Sequence, residues 1–575
     1  MASTDSRAFL WQNGVMTDLG DLPGGSDYSY ANGINAAGQV VGFSDASTGD
    51  RAFLWQNGSM TNLGDLPGRS DFSVANGINA AGQVVGYSYA STGQRAFLWQ
   101  NGVMSDLNSF NGVAGSGFTM QEAKAINDLG QVVGSGSNSG GAGHGFLLTL
   151  DTTVWQGAPN ASWEDTSNWS YGLAPNRNTH VYIEPLGSRT IFGPTGAVEV
   201  KRLTIGGDPA DGAAIATLKL NGGHITLLSD TSTGLTVTAN GVLTGQGTIQ
   251  SNNGWGDQFD NHGRIVADDL TLQGMYVNNY GTIEGDGRLA ANWDINNYGS
   301  IRIAHAGDRL RLDAHVSNSA TIDVLRGEID VRDGLDNHGQ INLRDGVLRA
   351  GYLNNYNHFD ISSGASDVFG RVFNDSDARI VVSGQGQATF WNLVENLGEL
   401  RVSNGAVATF FGDFYARTDG TLTGTGSKYF EAGYFIGNSP GVATDAGSMA
   451  FGADAFVEVE IGGLTAGNGD GHHDKLIVVG ELSLDGTLKL LSWKDYTGQA
   501  GDRFDLFDWG TLSREFDAID STGFLLADGT TLDFSKLYVD GSVRVTAVPE
   551  PETYAMMLAG LGLVGWSARR RASRG

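Results

Sequence analysis

Cysteine is absent from the 575 residues of this chain. Its absence excludes disulfides, zinc–thiolate sites, iron–sulfur clusters and a cysteine nucleophile. Proline is scarce, with 10 residues, so the chain is neither collagen-like nor a proline-rich linker. Charged residues make up only 17% of the sequence, and Asp and Glu outnumber Lys and Arg by 63 to 35. The net charge of −28 would repel phosphates, so we expect no nucleic-acid partner.

Glycine, by contrast, is abundant. The 86 glycines are about twice the usual share of ~7%. They occur together with Val, Ile, Thr and Asn and with few long amphipathic runs, a composition typical of short strands joined by tight turns. Length alone indicates roughly three or four domains of ~150 residues. The composition therefore predicts an all-β chain.

A repeat with a period of 44 residues occupies the first part of the chain. The string RAFLWQNG occurs at Arg7–Gly14, Arg51–Gly58 and Arg95–Gly102. Each unit contains short apolar segments separated by Asn-Gly and Pro-Gly turns, as in a four-stranded propeller blade. The units resemble HAF-type extracellular repeats over about residues 7–148. We predict an incomplete, propeller-like array over residues 1–150.

Three and a fraction blades do not close a ring, because propellers typically have four to eight blades. Two explanations stay open: an open array capped by the residues that follow, or a polypeptide that begins partway through a longer product. The second also explains why MASTDSRAFLWQNG lacks the positive patch and apolar core of a signal peptide. Trp11, Trp55 and Trp99 recur at one place in each unit, so we expect them in the blade core rather than in ligand stacking.

Three tryptophans interrupt the repeat in residues 151–200. Trp155, Trp163 and Trp169 lie within fifteen residues of each other. Flat apolar rings at this density suit the faces of sugars, but they also suit a cap on the end of a solenoid. We predict a cap segment here and keep the sugar-stacking platform as the alternative.

From residue 201 to about 450 a different phrase recurs, of the form N-x-G-x-(I/L). It starts at Asn261, Asn279, Asn297, Asn337 and Asn396, with weaker copies at Asn318, Asn355 and near Asn374. Intervals of 18 to 22 residues are typical of one coil of a parallel β-helix. Asn and Gly tolerate the left-handed conformation of a corner, and stacked asparagines can bond from coil to coil as a structural ladder. The region resembles the passenger segments of autotransporters, and we predict further β-structure over residues 451–547.

Catalytic motifs are not found in the sequence: it contains no Walker loop, no H-E-x-x-H and no G-x-S-x-G. GNGDGHHD, which includes Asp470 and Asp474, has the oxygen-rich composition of a Ca²⁺ loop, although a solvated turn fits it better. We therefore expect no cofactor, with Ca²⁺ as the one candidate ion. A β-helix lyase or glycosidase would need carboxylates facing each other across a groove, and acidic residues do not recur at one register here. We predict that the chain is not an enzyme.

The C-terminus combines a Pro-Glu-Pro motif, an apolar stretch and a basic end. The motif is Val548, Pro549, Glu550 and Pro551, and the basic end includes Arg569, Arg570 and Arg571. The thirteen residues between Tyr554 and Trp566 would span about 20 Å as a helix, short of a ~30 Å hydrocarbon core. Residues 548–575 resemble the PEP-CTERM sorting signal of exosortase substrates in Gram-negative bacteria.

That resemblance implies an exosortase-type processing enzyme as partner, a transient inner-membrane contact through the C-terminal segment, and export to the cell surface or beyond. A signal peptide is then expected upstream of the sequence given. The resemblance also implies a structural or binding role linked to exopolysaccharide or biofilm, with extracellular polysaccharide as a further partner. Two alternatives stay open: a polysaccharide-acting β-helix enzyme and an adhesin. The predicted fold is an incomplete propeller-like array, a parallel β-helix rod and a short C-terminal apolar helix.

Overall fold

The computed structural model describes most of the chain. It covers residues 6–548 except 101, 111–115, 171–173, 185–186, 208–213, 230–231, 253–256, 418–419 and 438–439, and in the tail residues 556, 558–564, 566 and 569. Strands account for 61% of the structure and helix for 4%, so the prediction of an all-β chain with a parallel β-helix and a short C-terminal helix is confirmed. Two compact units, Met1–Phe259 and Asp260–Gly575, divide the chain.

The first unit opens with four antiparallel sheets. Their strands are Phe9–Gln12 and Val15–Asp18; Ser29–Ile34, Val40–Ala46, Gly49–Gln56 and Ser59–Asn62; Gly68–Ile78, Val84–Ala90, Gly93–Gln100 and Val103–Asp106; and Phe118–Ile126, Gln131–Asn138 and Gly143–Thr149. A 3-10 turn spans Leu107–Ser109. The two four-stranded sheets follow the 44-residue period, and each meander combines the second half of one repeat with the RAFLWQNG segment of the next.

Asparagine side chains join successive antiparallel sheets. Asn32 Nδ2 donates to the carbonyl of Ala75 and Asn76 Nδ2 to that of Ala123, both at 2.8 Å. Gly33 lies at the same contact, where an added Cβ would come within 3.3 Å of Gly77 Cα. The small residue is needed because the backbones of adjacent blades approach this closely.

The blade tryptophans differ from one another. Trp55 and Trp99 are half-buried and pack against apolar clusters between the sheets. Trp11 is 64% exposed, so the prediction of a core position is wrong for this residue. It lies in the two-stranded sheet, which offers less surface to cover the ring than the four-stranded sheets do.

Parallel pairing begins at Thr152, within the predicted cap segment. The solenoid strands of the first unit are Thr152–Val154, His180–Ile183, Arg189–Phe192, Ala197–Val200, Arg202–Ile205, Ala216–Leu227, Thr233–Val237 and Gly241–Ser251, with a 3-10 turn at Thr166–Asn168. Trp155, Trp163 and Trp169 are buried and pack edge to face, with ring centroids 4.8 and 4.7 Å apart. The sugar-stacking alternative is wrong, because these rings present no free face.

The strand Asp257–Asn261 contains the division between the units, and the second unit continues with short parallel strands. They are Arg264–Val266, Leu270–Gln273, Met275–Asn279, Thr282–Glu284, Gly287–Ala291, Ile295–Asn297, Ser300–Ile303, Arg309–Asp313, His315–Asn318, Thr321–Val331, Gly334–Asn337, Gln340–Asn355, His358–Ser362, Ala365–Asn374, Arg379–Ser383, Gln387–Phe390, Val394–Asn396, Glu399–Val402, Val407–Phe410, Phe414–Ala416, Thr421–Thr423, Ser427–Phe430, Gly433–Ile436, Val442–Asp445, Ser448–Phe451 and Phe456–Ile461. The whole solenoid has about 12 turns.

Apolar side chains stack inward at one register from coil to coil. One row, fully buried, pairs Ile283, Ile301, Ile322, Ile341, Phe359, Ile380 and Leu400 in sequence. Each such side chain contributes about 1.5–3 kcal/mol by leaving water. The alternation of buried and half-buried residues along every coil follows from this stacking.

Parallel pairing also extends beyond residue 450. The remaining strands are Thr465–Ala466, His472–His473, Lys475–Ser483, Thr487–Ser492, Thr497–Gly498, Arg503–Asp505, Phe507–Ser513, Ala518–Gly523, Leu525–Leu526, Thr530–Asp533 and Ser542–Ala547, with one short helix at Leu537–Asp540. Lys475–Ser483 pairs in parallel with Phe507–Ser513, and an antiparallel three-stranded sheet containing Ser542–Ala547 follows.

Candidate functional site

The predicted asparagines form one continuous ladder inside the second unit. Its members, none more than 1% exposed, are Asn261, Asn279, Asn297, Asn318, Asn337, Asn355, Asn374 and Asn396. Each Nδ2 donates to the Oδ1 of the next, over 2.6 to 2.8 Å. The same Nδ2 groups also donate to backbone carbonyls, for example Asn297 to Thr321 at 3.0 Å. These hydrogen bonds use the amide groups to join each coil to the next, which is a structural role.

A row of flat rings follows the ladder by one residue. His262 stacks on Tyr280 with centroids 4.8 Å apart, and Tyr280 stacks on Tyr298 at 5.2 Å. His338 and Tyr356 repeat the arrangement further along, at 4.6 Å. Tyr280 and Tyr298 are about half exposed, at 47% and 50%. A sequence signal for this row exists, because His or Tyr follows the ladder asparagine in N-(H/Y)-G and in Asn355-Tyr356-Asn357, but the N-x-G-x-(I/L) phrase leaves that position open.

A second aromatic row lies on the same unit. Trp391 stacks between Phe369 and Phe411, with centroids 5.5 and 4.7 Å away. The Arg349 guanidinium covers the far side of the row, 3.6 Å from the Phe369 centroid, and Trp391 Nε1 donates to Asp367 at 2.8 Å. Phe369 and Trp391 are covered on both faces, so these two rings present edges and polar groups to solvent.

Carboxylates on the outer surface are held between arginines of neighbouring coils. Glu284 accepts from Arg302 at 2.6 Å and also from Arg264, and Glu395 pairs with Arg371 and Arg417, both at 2.8 Å. Burial would raise the pKa of Glu284, but the hydrogen bonds from the two arginines outweigh it and keep the pKa below its usual value. Carboxylates bound in this way stay ionised and paired, so they are poorly suited to proton transfer.

The two candidate Ca²⁺ ligands have separate partners. Asp470 is exposed, pairs with Lys494 Nζ at 2.6 Å and accepts from Trp493 Nε1 at 3.1 Å. Asp474 is buried and accepts backbone N–H groups of Gly441 and Glu460 at 2.5 and 2.7 Å. Within the part of the chain that the structure describes, no three His, Asp or Glu side chains form a group able to hold a metal.

Asp474 also borders a cavity of about 230 Å³, which Arg417, Glu458 and Glu460 line as well. Burial, with the charges of the two glutamates, raises the pKa of Asp474 to about 8. A raised pKa of this kind is found in carboxyl groups that donate protons. Both oxygens of Asp474, however, already accept from backbone, which indicates that it fixes the surrounding turns.

The tail is described only in part. Val548 is exposed and its N–H donates to the Gly529 carbonyl at 2.8 Å. Arg569 is helical and exposed, whereas Pro549, Glu550, Pro551, Arg570 and Arg571 lie outside the described residues. Among the described residues, no helix is long and apolar enough to cross a membrane.

The C-terminal end of the chain matches a known protein-family model. A family model described as the PEP-CTERM protein-sorting motif matches residues 547–571. No curated protein matches the chain. The motif indicates an exported, cell-surface protein of Gram-negative bacteria that an exosortase processes.

Proposed function

We propose that this protein is a non-enzymatic component of the extracellular matrix, linked to exopolysaccharide or biofilm. In this proposal the first 150 residues are HAF-type repeats, and the solenoid is similar to an autotransporter passenger. The C-terminal segment holds the chain briefly at the inner membrane before processing. The sorting motif at residues 547–571 is the observation that carries the proposal, because it directs the body of the protein outward.

The exposed rows of rings support a binding role for the solenoid. Tyr280 and Tyr298 offer ring edges and hydroxyl groups at the spacing of one coil. A polymer with a repeating chemical unit can contact several such positions at once, and weak contacts then add to a useful avidity. Polysaccharide is a ligand of this kind.

The pairing of the outer carboxylates supports a role without catalysis. Glycoside hydrolysis requires one carboxyl group as acid and another as base or nucleophile across the scissile bond. Glu284 and Glu395 are instead each bound by two arginines.

The mature C-terminus tests the sorting assignment. We would express the full chain in an exosortase-bearing host and determine the mass and C-terminal residue of the protein in the culture fluid. Loss of everything beyond about Pro549–Pro551 is expected. Alanine at Pro549, Glu550 and Pro551 should leave the arginine-rich end in the membrane fraction, whereas alanine at the upstream residues Asp520, Ser521 and Thr522 should not. An intact end in the membrane-bound natural chain would refute the assignment.

Binding to polysaccharide is a separate test. The processed protein should co-sediment with insoluble exopolysaccharide of the same host, and a double Tyr280→Ala, Tyr298→Ala variant should bind several-fold more weakly. Tyr429→Ala, which removes an exposed ring outside the row, is the matched control. Equal binding by the double variant and the control would show that the rings of Tyr280 and Tyr298 do not bind the polysaccharide.

A further inference from the structure

A lysine lies inside the solenoid where apolar side chains are otherwise stacked. Lys428, on the strand Ser427–Phe430, pairs with Ala408 of the preceding coil and Met449 of the following one. All three side chains point inward, and Lys428 is 0% exposed. Burying an unpaired ammonium at such a place would destabilise the fold by several kcal/mol. The role of this site therefore depends on the group that pairs with Lys428.

That partner is Asp445, which is 1% exposed. Lys428 Nζ lies 2.9 Å from Asp445 Oδ1 and 2.8 Å from Oδ2, and it also donates to the Gly424 carbonyl at 2.9 Å. The Gly447 N–H donates to Oδ1 at 2.6 Å. Among the described residues, Oδ2 has no hydrogen bond of good geometry, although it is buried.

The surroundings favour the uncharged forms of both groups. Burial lowers the pKa of Lys428 and raises that of Asp445, in each case against the attraction of the partner's charge. Transfer of one proton from Nζ to the carboxyl group therefore yields a neutral amine beside a neutral acid. With both oxygens within 2.9 Å of Nζ, the carbon Cγ lies within ~3.5 Å, the separation of a near-attack arrangement.

We propose that Lys428 and Asp445 condense to an intramolecular amide that crosslinks the solenoid. The Nζ lone pair attacks Cγ and forms the C–N bond, while the Gly447 N–H stabilises the charge that develops on Oδ1. A second proton passes from Nζ to Oδ2, the Cγ–Oδ2 bond breaks, and one water leaves. An ammonium and a carboxylate thus become an amide and water, with no oxidant or other reactant required.

The product fits the site better than the ion pair does. Its N–H would keep the Gly424 carbonyl as acceptor, and its carbonyl oxygen would keep the Gly447 N–H as donor. Loss of Oδ2 removes the buried oxygen that lacks a donor, and both buried charges disappear. Gly447 is suited to this place because an added Cβ would lie 2.8 Å from Nζ.

A crosslink between residues 17 apart would bind two successive coil segments covalently. Since the chain has no cysteine, no disulfide can supply such a link in an oxidising compartment. The proposal does not depend on what the protein binds.

Peptide mass after tryptic digestion of the unfolded full chain tests the crosslink. Trypsin cleaves after Arg417, Lys428 and Lys475, but an amide at Lys428 blocks the middle cut. The natural chain should give one peptide of residues 418–475, lighter than its sequence mass by about 18 Da, the mass of one water. Fragmentation should show residues 428 and 445 joined.

Two variants and one internal comparison accompany this measurement. Lys428→Arg and Asp445→Ala should each restore complete cleavage after residue 428 with no loss of mass. Lys475 pairs with Asp505 and Asp508 at 2.6 and 2.7 Å, but both carboxylates are about half exposed, so trypsin should cleave there in every sample. Complete cleavage after Lys428 in the natural chain, at the mass its sequence requires, would overturn the proposal, as would a crosslink that survives Asp445→Ala.

Discussion

At the scale of single residues, adjacent asparagines have different roles. Asn297 belongs to the buried ladder, where it accepts from Asn279 and donates to Asn318, both at 2.7 Å. Asn296, its neighbour in sequence, is half-buried and donates to Asn278, which is 8% exposed, at 3.1 Å outside the ladder. The two residues therefore separate the contribution of the ladder from that of asparagine itself.

Asn297→Ala should destabilise the solenoid by about 2–5 kcal/mol, because it removes the acceptor of Asn279 Nδ2 and the donor to Asn318 Oδ1 and to the Thr321 carbonyl, all in a buried ladder. Asn296→Ala should cost less than ~1 kcal/mol, since water at this half-buried position can replace the lost amide as the donor to Asn278. The midpoint of urea unfolding checks both values. Equal midpoints for the two variants would contradict a specific contribution of the ladder to the stability of the solenoid.

His180 is a residue for which the structure predicts pH dependence. Its ring stacks on Tyr182 at 4.0 Å and Nε2 lies 2.9 Å from Thr204 Oγ1. Burial, together with the charge of Arg202, lowers the pKa of His180 from 6.5 to about 4. In the unfolded chain, His180 thus binds a proton below about pH 6.5. In the folded chain, His180 binds that proton only near pH 4.

Stability should therefore fall as the pH decreases from 6.5 toward 4, and the part due to His180 is fully present above 6.5. Titration of the imidazole by NMR should give a midpoint near 4. His180→Gln should reduce the slope of stability against pH in this window. A midpoint near 6.5 would mean that the ring is solvated.

At the scale of the coil, glycine sets how closely neighbouring turns approach. Gly370 has φ = +109°, and an added Cβ would lie 2.1 Å from the Ala350 carbonyl oxygen. Gly384 also has a positive φ, +63°, but nothing lies within 4 Å of its added Cβ. The first glycine is required by space and conformation, the second by conformation alone.

Gly384→Ala should cost about 1–2 kcal/mol, the strain of a left-handed backbone for an L-residue. Gly370→Ala should cost clearly more, because the coil must also move away from the Ala350 carbonyl. Thermal unfolding of both variants measures the difference. Identical melting temperatures would show that the distance between neighbouring coils can increase without loss of stability.

The N-x-G-x-(I/L) phrase predicted the coil of the solenoid because one turn repeats the same corner and the same inward position. It could not predict where the solenoid begins and ends. The strand at Thr152–Val154 precedes the first copy of the phrase by more than a hundred residues. The coils between them stack buried apolar side chains, as in the row Val181, Leu203 and Leu235. Irregular coils have no periodic signal, so only the pairing of strands identifies them.

At the scale of the whole molecule, charge and the C-terminal motif govern where the protein goes and what it meets. The net charge of −28 keeps polyanions away at long range. The sorting motif at residues 547–571 directs the acidic body out of the cell. These properties do not depend on how the coils pack.

The full chain should not bind nucleic acid at low ionic strength. It should emerge in the unbound fraction of a heparin column and should not retard duplex DNA in a gel, because binding would require positive surface to replace counterions. Retention that decreases with salt would reveal a basic surface that the net charge conceals.

The sequence by itself determined the all-β class, the repeat periods, the asparagine ladder and the sorting tail, because each is a local pattern or a property of composition. Tertiary structure decided which tryptophans are buried, which carboxylates are paired and which lysine faces inward. Trp11 and Trp55 occupy equivalent positions of two repeats, yet their exposure differs because the neighbouring sheets differ. Lys428 and Asp445 carry no shared motif and meet only because successive coils place them side by side. Such contacts arise between residues distant in sequence, where local pattern has no influence.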